Sequence, residues 1–279
     1  MEQLGIQLTN GLLVGTTIAL TALGLSLVFG ILHIVNLSHG EFYMLGAYLA
    51  WVFQGWLGNF WLAVVLSAIA TGLIGGGILM MFFRRMLGSG PLRWALLTLG
   101  IGYVLRELAQ HVFGEDFKLV DLPLEGTLPF LGGKYRVLVM ALGLAMIALL
   151  SVFLARSRQG ILIRAIASNE EAASVVGVST WKVYFLVSVI SAGLAGLAGA
   201  FMLPVTSAYP HMGLEILIMA FVVVVVGGMG NVRGTLLAGL LAGVMQSVLS
   251  LGMKPTFASL LTLLLLMSIV IWRRAGVRA

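Results

Sequence analysis

Glu41 is the first residue to demand a chemical explanation. It stands in "NLSHGEFYMLGAY", residues 36–48, where Asn36, His39 and Glu41 interrupt a run otherwise apolar enough to lie in lipid. A carboxylate in a membrane span costs about 2.5–3.5 kcal/mol on insertion scales, so it faces a bundle interior or water. One reading of the cluster is structural. Ser38 caps the start of a broken helix, while His39 and Asn36 bond Glu41 or the backbone freed there. A second reading is functional: Asn36, His39, Gly40 and Glu41 border a polar path, and Glu41 meets a passing ammonium group. A proton relay has the narrowest basis, a single His–Glu pair. A second acid stands in "PHMGLEILI" (210–218), where His211, Gly213 and Glu215 repeat the types of His39, Gly40 and Glu41 at slightly different spacing, as would an inverted-topology repeat whose broken helices frame a central pathway. Arg106 and Glu107 are adjacent and do not face each other along a helix. Both are expected near a span end, reaching for the interface. With four histidines (His33, His39, His111 and His211) and no cysteine, no nucleophile triad or metal site forms without improbable convergence. His33 is expected to be a packing residue.

The elements that must position these groups follow from composition. Of 279 residues, 60% are hydrophobic and 9% charged, and the mean hydropathy is +1.09. An ordinary soluble domain is about 45–50% apolar and about 25% charged. The expected fold is therefore all-α: a polytopic transmembrane helical bundle with residues 1–279 forming a single integral membrane domain. A span needs roughly 20 apolar residues, and such stretches fall near 10–31, 38–56, 61–82, 92–112, 137–154, 182–203, 213–231, 234–252 and 256–272. About eight to nine of them cross, because 38–56 opens on polar residues and can re-enter instead. The runs Gly72/Gly76, Gly193/Gly196/Gly199 and Gly239/Gly243 are expected to let helices approach closely, and "VVVVV" (222–226) reads as part of a span.

Orientation comes from lysine and arginine. Arg84, Arg85 and Arg93 share one loop, Arg156, Arg158, Arg164 and Lys182 another, and Arg273, Arg274 and Arg278 end the chain. The acidic 113–136 loop, with Glu115, Asp116, Asp121 and Glu125, falls on the opposite side. The basic loops and C-terminus are thus expected to be cytoplasmic and the N-terminus external; a re-entrant 38–56 moves the N-terminus inside. The net charge of +6 sits at span ends, which argues against nucleic-acid binding. "MEQLGIQLTN" has no basic stretch of the kind that starts a signal peptide. "GGMGNVRG" (227–234) lacks the spacing and lysine of a phosphate loop and reads as a tight turn.

Residues 155–181, "ARSRQGILIRAIASNEEAASVVGVSTW", change from lipid-like to amphipathic. Ser168 followed by Glu171 has the form of a capping box. Ala172, Val175 and Val176 make a narrow apolar stripe, and Gly177 is placed to end the helix. A helix of about eight residues is marginal alone in water, so it needs a docking surface: this chain's own membrane face, or a groove on a partner.

"EAASVVG" (171–177) resembles the Glu-Ala-Ala-x-x-x-Gly loop of membrane subunits of ABC importers. "GLSLVFGILHIVNLSHGEFYMLGAYLAW" (24–51), "GILIRAIASNEEAASVVGV" (160–178), "AGLAGLAGAFM" (192–202) and "GLEILIMAFVVVVVGGMGNVRGTLLAGLLAG" (213–243) are similar, in order, to blocks of the branched-chain amino acid permeases. Within that family the chain resembles the shorter of two paired permeases. The resemblance implies a non-catalytic permease subunit of the bacterial inner membrane, importing hydrophobic amino acids. Its implied partners are a second homologous permease, two ABC ATPases that hold ATP and Mg, a periplasmic or extracellular binding protein, and membrane lipid. No cofactor is expected on this chain. Ser168, Asn169, Glu170, Glu171, Ala172, Ala173, Val176 and Gly177 are implied to couple to the ATPases. Asn36, His39, Gly40, Glu41 and Glu215 are the candidate pathway residues. The same permease type resembles importers of urea, short amides or aromatic acids. An ion-coupled secondary transporter using His39 and Glu41 is the remaining alternative, and a channel is disfavoured for want of a filter sequence.

Overall fold

A computed structural model describes residues 2–86 and 89–276. The side chains of Arg84, Arg273 and Arg274, and all of Arg278, lie outside the described residues. The helices are α1 (Glu2–Leu32), α2 (His39–Leu57), α3 (Phe60–Met86), α4 (Pro91–Phe113), α5 (Lys134–Arg156), α6 (Arg158–Ser168), α7 (Glu170–Val175), α8 (Thr180–Thr206), α9 (Met212–Gly227), α10 (Val232–Leu249) and α11 (Pro255–Gly276). One small hairpin, β1 (Thr127–Leu128) with β2 (Gly132–Gly133), interrupts the helical pattern in the acidic loop. The protein is a helical membrane bundle, and every expected span has its helix. Among the described residues six stretches are long and apolar enough to cross a bilayer: Gly5–Leu32, Phe60–Phe83, Lys134–Arg156, Thr180–Thr206, Val232–Leu249 and Pro255–Trp272. The seventh expected span ends sooner than 231, because α9 stops at Gly227 and the glycine-rich turn follows.

α1 and α8 form the centre: about four-fifths of each apolar stretch is buried, against 17% for α11. Their hydroxyls fit such a setting by bonding their own helix, as Thr17 does to Leu13 O and Thr21 to Thr17 O. Glycines carry the close crossings. Gly46 lies on the Gly196 backbone and Gly243 on Gly15, and neither site has room for a Cβ. The expected packing role holds for Gly72 too, which faces Val189 and Gly193.

The chain repeats itself upside down. α1 starts beside the acidic loop, where Gly5 meets Phe130 and Arg136 bonds Asn10, and its far end meets the turn at Gly230. α8 runs the other way. Its first residues, Trp181 and Tyr184, pack on Phe83 at the end of α3, and the chain just beyond its last turn pairs with the acidic loop through Ala208 and Lys118. α1 packs along α10 as α8 packs along α3. α2 and α9 then begin inside the bundle, where Gly40 and Gly213 touch. The sequence carries the same relation: His39 and His211, Gly58 and Gly230, and Asn59 and Asn231 are each equally far apart. Asn59 and Asn231 both use Oδ1 to accept a backbone N–H three residues on. The matching pair is therefore His39/His211, with Gly213 standing where the first half has Glu41.

These placements set the depth of Glu41 in the bundle. α2 opens beside Thr21 and Gly24, well inside α1, and not at a bundle end. Residues 33–38 turn back into the bundle, and α2 then continues to the acidic-loop end, where Tyr48 stacks on Phe113 with ring centroids 4.6 Å apart. Re-entry therefore leaves the ends of α1 where they were. His33 is also not a packing residue. It is exposed, with φ 55°, and turns the chain out of α1.

Candidate functional site

Asn36 builds the turn ahead of α2. Its Oδ1 accepts from the Ser38 backbone N–H at 3.1 Å and from the Ser38 hydroxyl at 2.7 Å, as an Asx side chain does two residues back from the backbone it holds. Ser38 therefore occupies the capping position without making a side-chain cap bond. The segment is stitched to α4, with the Leu37 N–H donating to Thr98 Oγ1 at 3.0 Å. His39 is fully buried, and its Nε2 lies 2.9 Å from Thr21 O. A carbonyl only accepts, so Nε2 carries the hydrogen. His39 thus ties α2 to α1 and does not bond Glu41.

Glu41 is 2% exposed and forms an ion pair with Arg106 of α4. Its carboxylate also lies against Gly213, in the first turn of α9. Two helix N-termini, its own and that of α9, therefore meet at this carboxylate, each presenting the positive end of its dipole. Arg106 overturns its expectation. It is 8% exposed and shares the inward face of α4 with Trp94, Thr98, Gly102 and Ala109. The four-residue spacing of Trp94, Thr98, Gly102 and Arg106 was the missed signal, since such residues stack on one helix face. Its neighbour Glu107 is exposed.

The pair is not saturated. No described donor reaches Glu41 Oε2, and no acceptor reaches Arg106 Nε. Beside it, between α4, α9 and the start of α2, lies a groove of about 310 Å³ walled by Leu99, Tyr103, Leu217 and Phe221. Asn36, His39, Gly40 and Glu41 are thus brought together, with Gly213 and Arg106 added. Glu215 is not among them: it is exposed, and accepts from the Tyr209 hydroxyl at 2.7 Å. Among the described residues no cluster of three or more His, Cys, Asp or Glu side chains is arranged to hold a metal.

The second candidate region is the hook formed by α6 and α7. Ser157 caps α6, accepting from the Gly160 N–H at 2.8 Å. The expected capping box is corrected: Ser168 is the last residue of α6, and Asn169 caps α7 by accepting from the Ala172 N–H at 2.9 Å. α7 is six residues long. It closes as a Schellman motif, with the Val178 N–H donating to Ala173 O and the Gly177 N–H to Ser174 O. Gly177 has the φ of +87° that this motif gives to glycine. Ala173 packs inward, whereas Val175 and Val176 are 86% and 79% exposed.

Six long apolar helices among the described residues, two helices opening inside the bundle, a buried charged pair beside a groove and an amphipathic hook at one end define a multi-pass permease. The family model described as branched-chain amino acid transport system / permease component matches residues 7–270, and the chain belongs to that family. It is 28% identical to the high-affinity branched-chain amino acid transport permease BraD of Pseudomonas aeruginosa, over 97% of this chain and 94% of that protein. It is 27% identical to LivH of Escherichia coli over the same shares. Similarity to LivM of Salmonella typhimurium, 28%, spans 91% of this chain but 66% of that protein. The chain thus has the length of the LivH and BraD type, the shorter one. No solved structure matches it.

Proposed function

We propose that this chain is one permease subunit of an ATP-driven importer of branched-chain or other hydrophobic amino acids in the bacterial inner membrane, with its basic loops and C-terminus cytoplasmic. It works beside a second, homologous permease. Two ATPase subunits hold ATP and Mg, and a periplasmic or extracellular binding protein delivers substrate. The chain itself carries no catalysis. The observation that carries this reading is α7. Its valines face away from the bundle, so the helix is offered to a partner and is not laid on its own membrane face. Residues 168–177 give such a partner a capped helix with an apolar tip, and acidic residues Glu170 and Glu171 in its first turn. Closure of the two ATPases moves this hook, which α6 joins directly to α5. Asn36, His39, Gly40 and Glu41 border the passage at the point where α2 and α9 meet.

The test is copurification of the chain with its co-expressed subunits, then amino acid uptake into vesicles with the binding protein and ATP. Uptake should depend on the ATPase and be abolished by Glu171→Lys or Val176→Asp. Uptake that runs without an ATPase, or survives both substitutions, overturns the reading.

A further inference from the structure

We propose that the groove between α4, α9 and the start of α2 is a transit site for a zwitterionic amino acid head group, in which Arg106 takes the carboxylate and Glu41 the ammonium. The inference rests on the permease function proposed above and names a residue and a ligand chemistry for its pathway. Three observations carry it. The two buried charges are opposite and adjacent, and each retains an unused polar atom, Glu41 Oε2 and Arg106 Nε. Both line the same groove, whose other walls are apolar: Leu99, Leu217, Ile218 and Phe221. Its volume of about 310 Å³ suits a small ligand, since ligand pockets run from about 300 Å³ upward.

Charge complementarity selects the occupant. An apolar solute or a lipid tail leaves the pair as it stands. A lone anion or amine takes one partner and strands the other, and a stranded buried charge is costly. A zwitterion offers one charge to each, so the site is electrically neutral both empty and filled. When empty, Glu41 and Arg106 satisfy each other. When filled, they exchange that contact for the two ends of the head group, and the hydrophobic side chain lies on the leucine and phenylalanine wall. Gly102 and Gly213 flank the pair without side chains, and Gly213 lets the α9 backbone close directly on the Glu41 carboxylate.

The chain contains no cysteine, so Ile218→Cys places a single reporter thiol in the groove. Maleimide labelling of this chain is measured by mass spectrometry on the complex in nanodiscs, with and without a non-hydrolysable ATP analogue. Three probes are compared at equal concentration: leucine, 4-methylpentanoate, which lacks the ammonium, and 3-methylbutylamine, which lacks the carboxylate. Leucine should slow labelling at least threefold in one nucleotide state, and the single-charge probes should not. Glu41→Gln should lose leucine protection and gain protection by 4-methylpentanoate. Arg106→Gln should gain it from 3-methylbutylamine. These gains separate ligand binding from a purely structural pair, and the conservative Arg106→Lys should keep part of the leucine effect. Equal protection by all three probes, no protection by leucine in either state, or no change of preference in the folded variants overturns the site. Leucine uptake by the same complex is scored separately: uptake without charge-dependent protection refutes this inference and leaves the permease reading standing.

Discussion

Breaking the Glu41–Arg106 pair one partner at a time should cost far more than removing both. Glu41 is 2% exposed along its side chain and Arg106 10%, so neither has water to fall back on. Removing one member of a buried pair costs about 3–5 kcal/mol, because the other is left uncompensated, whereas replacing both by apolar or neutral groups is often close to neutral. Arg106→Met and Glu41→Gln should therefore each destabilise by about 3 kcal/mol, a factor of about 100 in the unfolding constant. The double variant should recover most of that loss. The Arg106→Met figure includes a smaller contribution from its stem and from its cation–π contact with Tyr103, at 5.5 Å. That contact is worth about 0.5–1 kcal/mol where exposed. The assay is SDS-driven unfolding in mixed micelles, followed by tryptophan fluorescence and analysed as a double-mutant cycle. Single variants that each lie within about 1 kcal/mol of wild type, with additive effects in the double variant, would refute a desolvated ion pair between α2 and α4.

The remaining predictions concern packing and caps. Gly46→Leu forces side-chain atoms into the Gly196 backbone and should destabilise by about 1–3 kcal/mol or more. Gly55→Ala, with open space around it, is the silent control in the same melt. Asn169→Ala removes the α7 cap and should weaken that helix by about 1 kcal/mol, seen as reduced ATPase copurification, while Ser168→Ala leaves copurification unchanged. Gly177→Ala should likewise cost about 1 kcal/mol through its positive φ, read as faster local hydrogen exchange over 170–178. Tyr209→Phe should free the exposed Glu215 with little effect on uptake, because the two stand apart from the Glu41 pair.

Much of this protein was legible in one dimension because its signals are local. Apolar run length is set by bilayer thickness, so nine apolar stretches could be located along the sequence, and a helix lies at each. Arg85, Arg93, Arg156, Arg158 and Lys182 mark one end of the bundle because each lies at or near the end of a span, and Arg164 lies in the α6 segment between two of them. Gly177 ends α7 because its left-handed φ is a property of that residue in its own turn. Even the position of the hook followed from a change of periodicity. The partner of each polar group was a different matter. Ser168 and Asn169 compete for one cap, and sequence spacing favoured the serine; α6 consumes Ser168 as its last residue and leaves Asn169 the role. The depth of Glu41 depended on residues 33–38 folding back beside Thr98, a contact 61 positions away in the chain. Arg106 looked like an interfacial cation because helix ends tolerate snorkelling. Only the crossing of α2 and α4 presents it with a buried carboxylate, and in a low-dielectric interior that opposite charge decides where the guanidinium goes. Residue type and spacing thus determined which groups must be hidden. The tertiary structure decided from what, and with whom, since burial and pairing are properties of surfaces that meet only after the chain has folded.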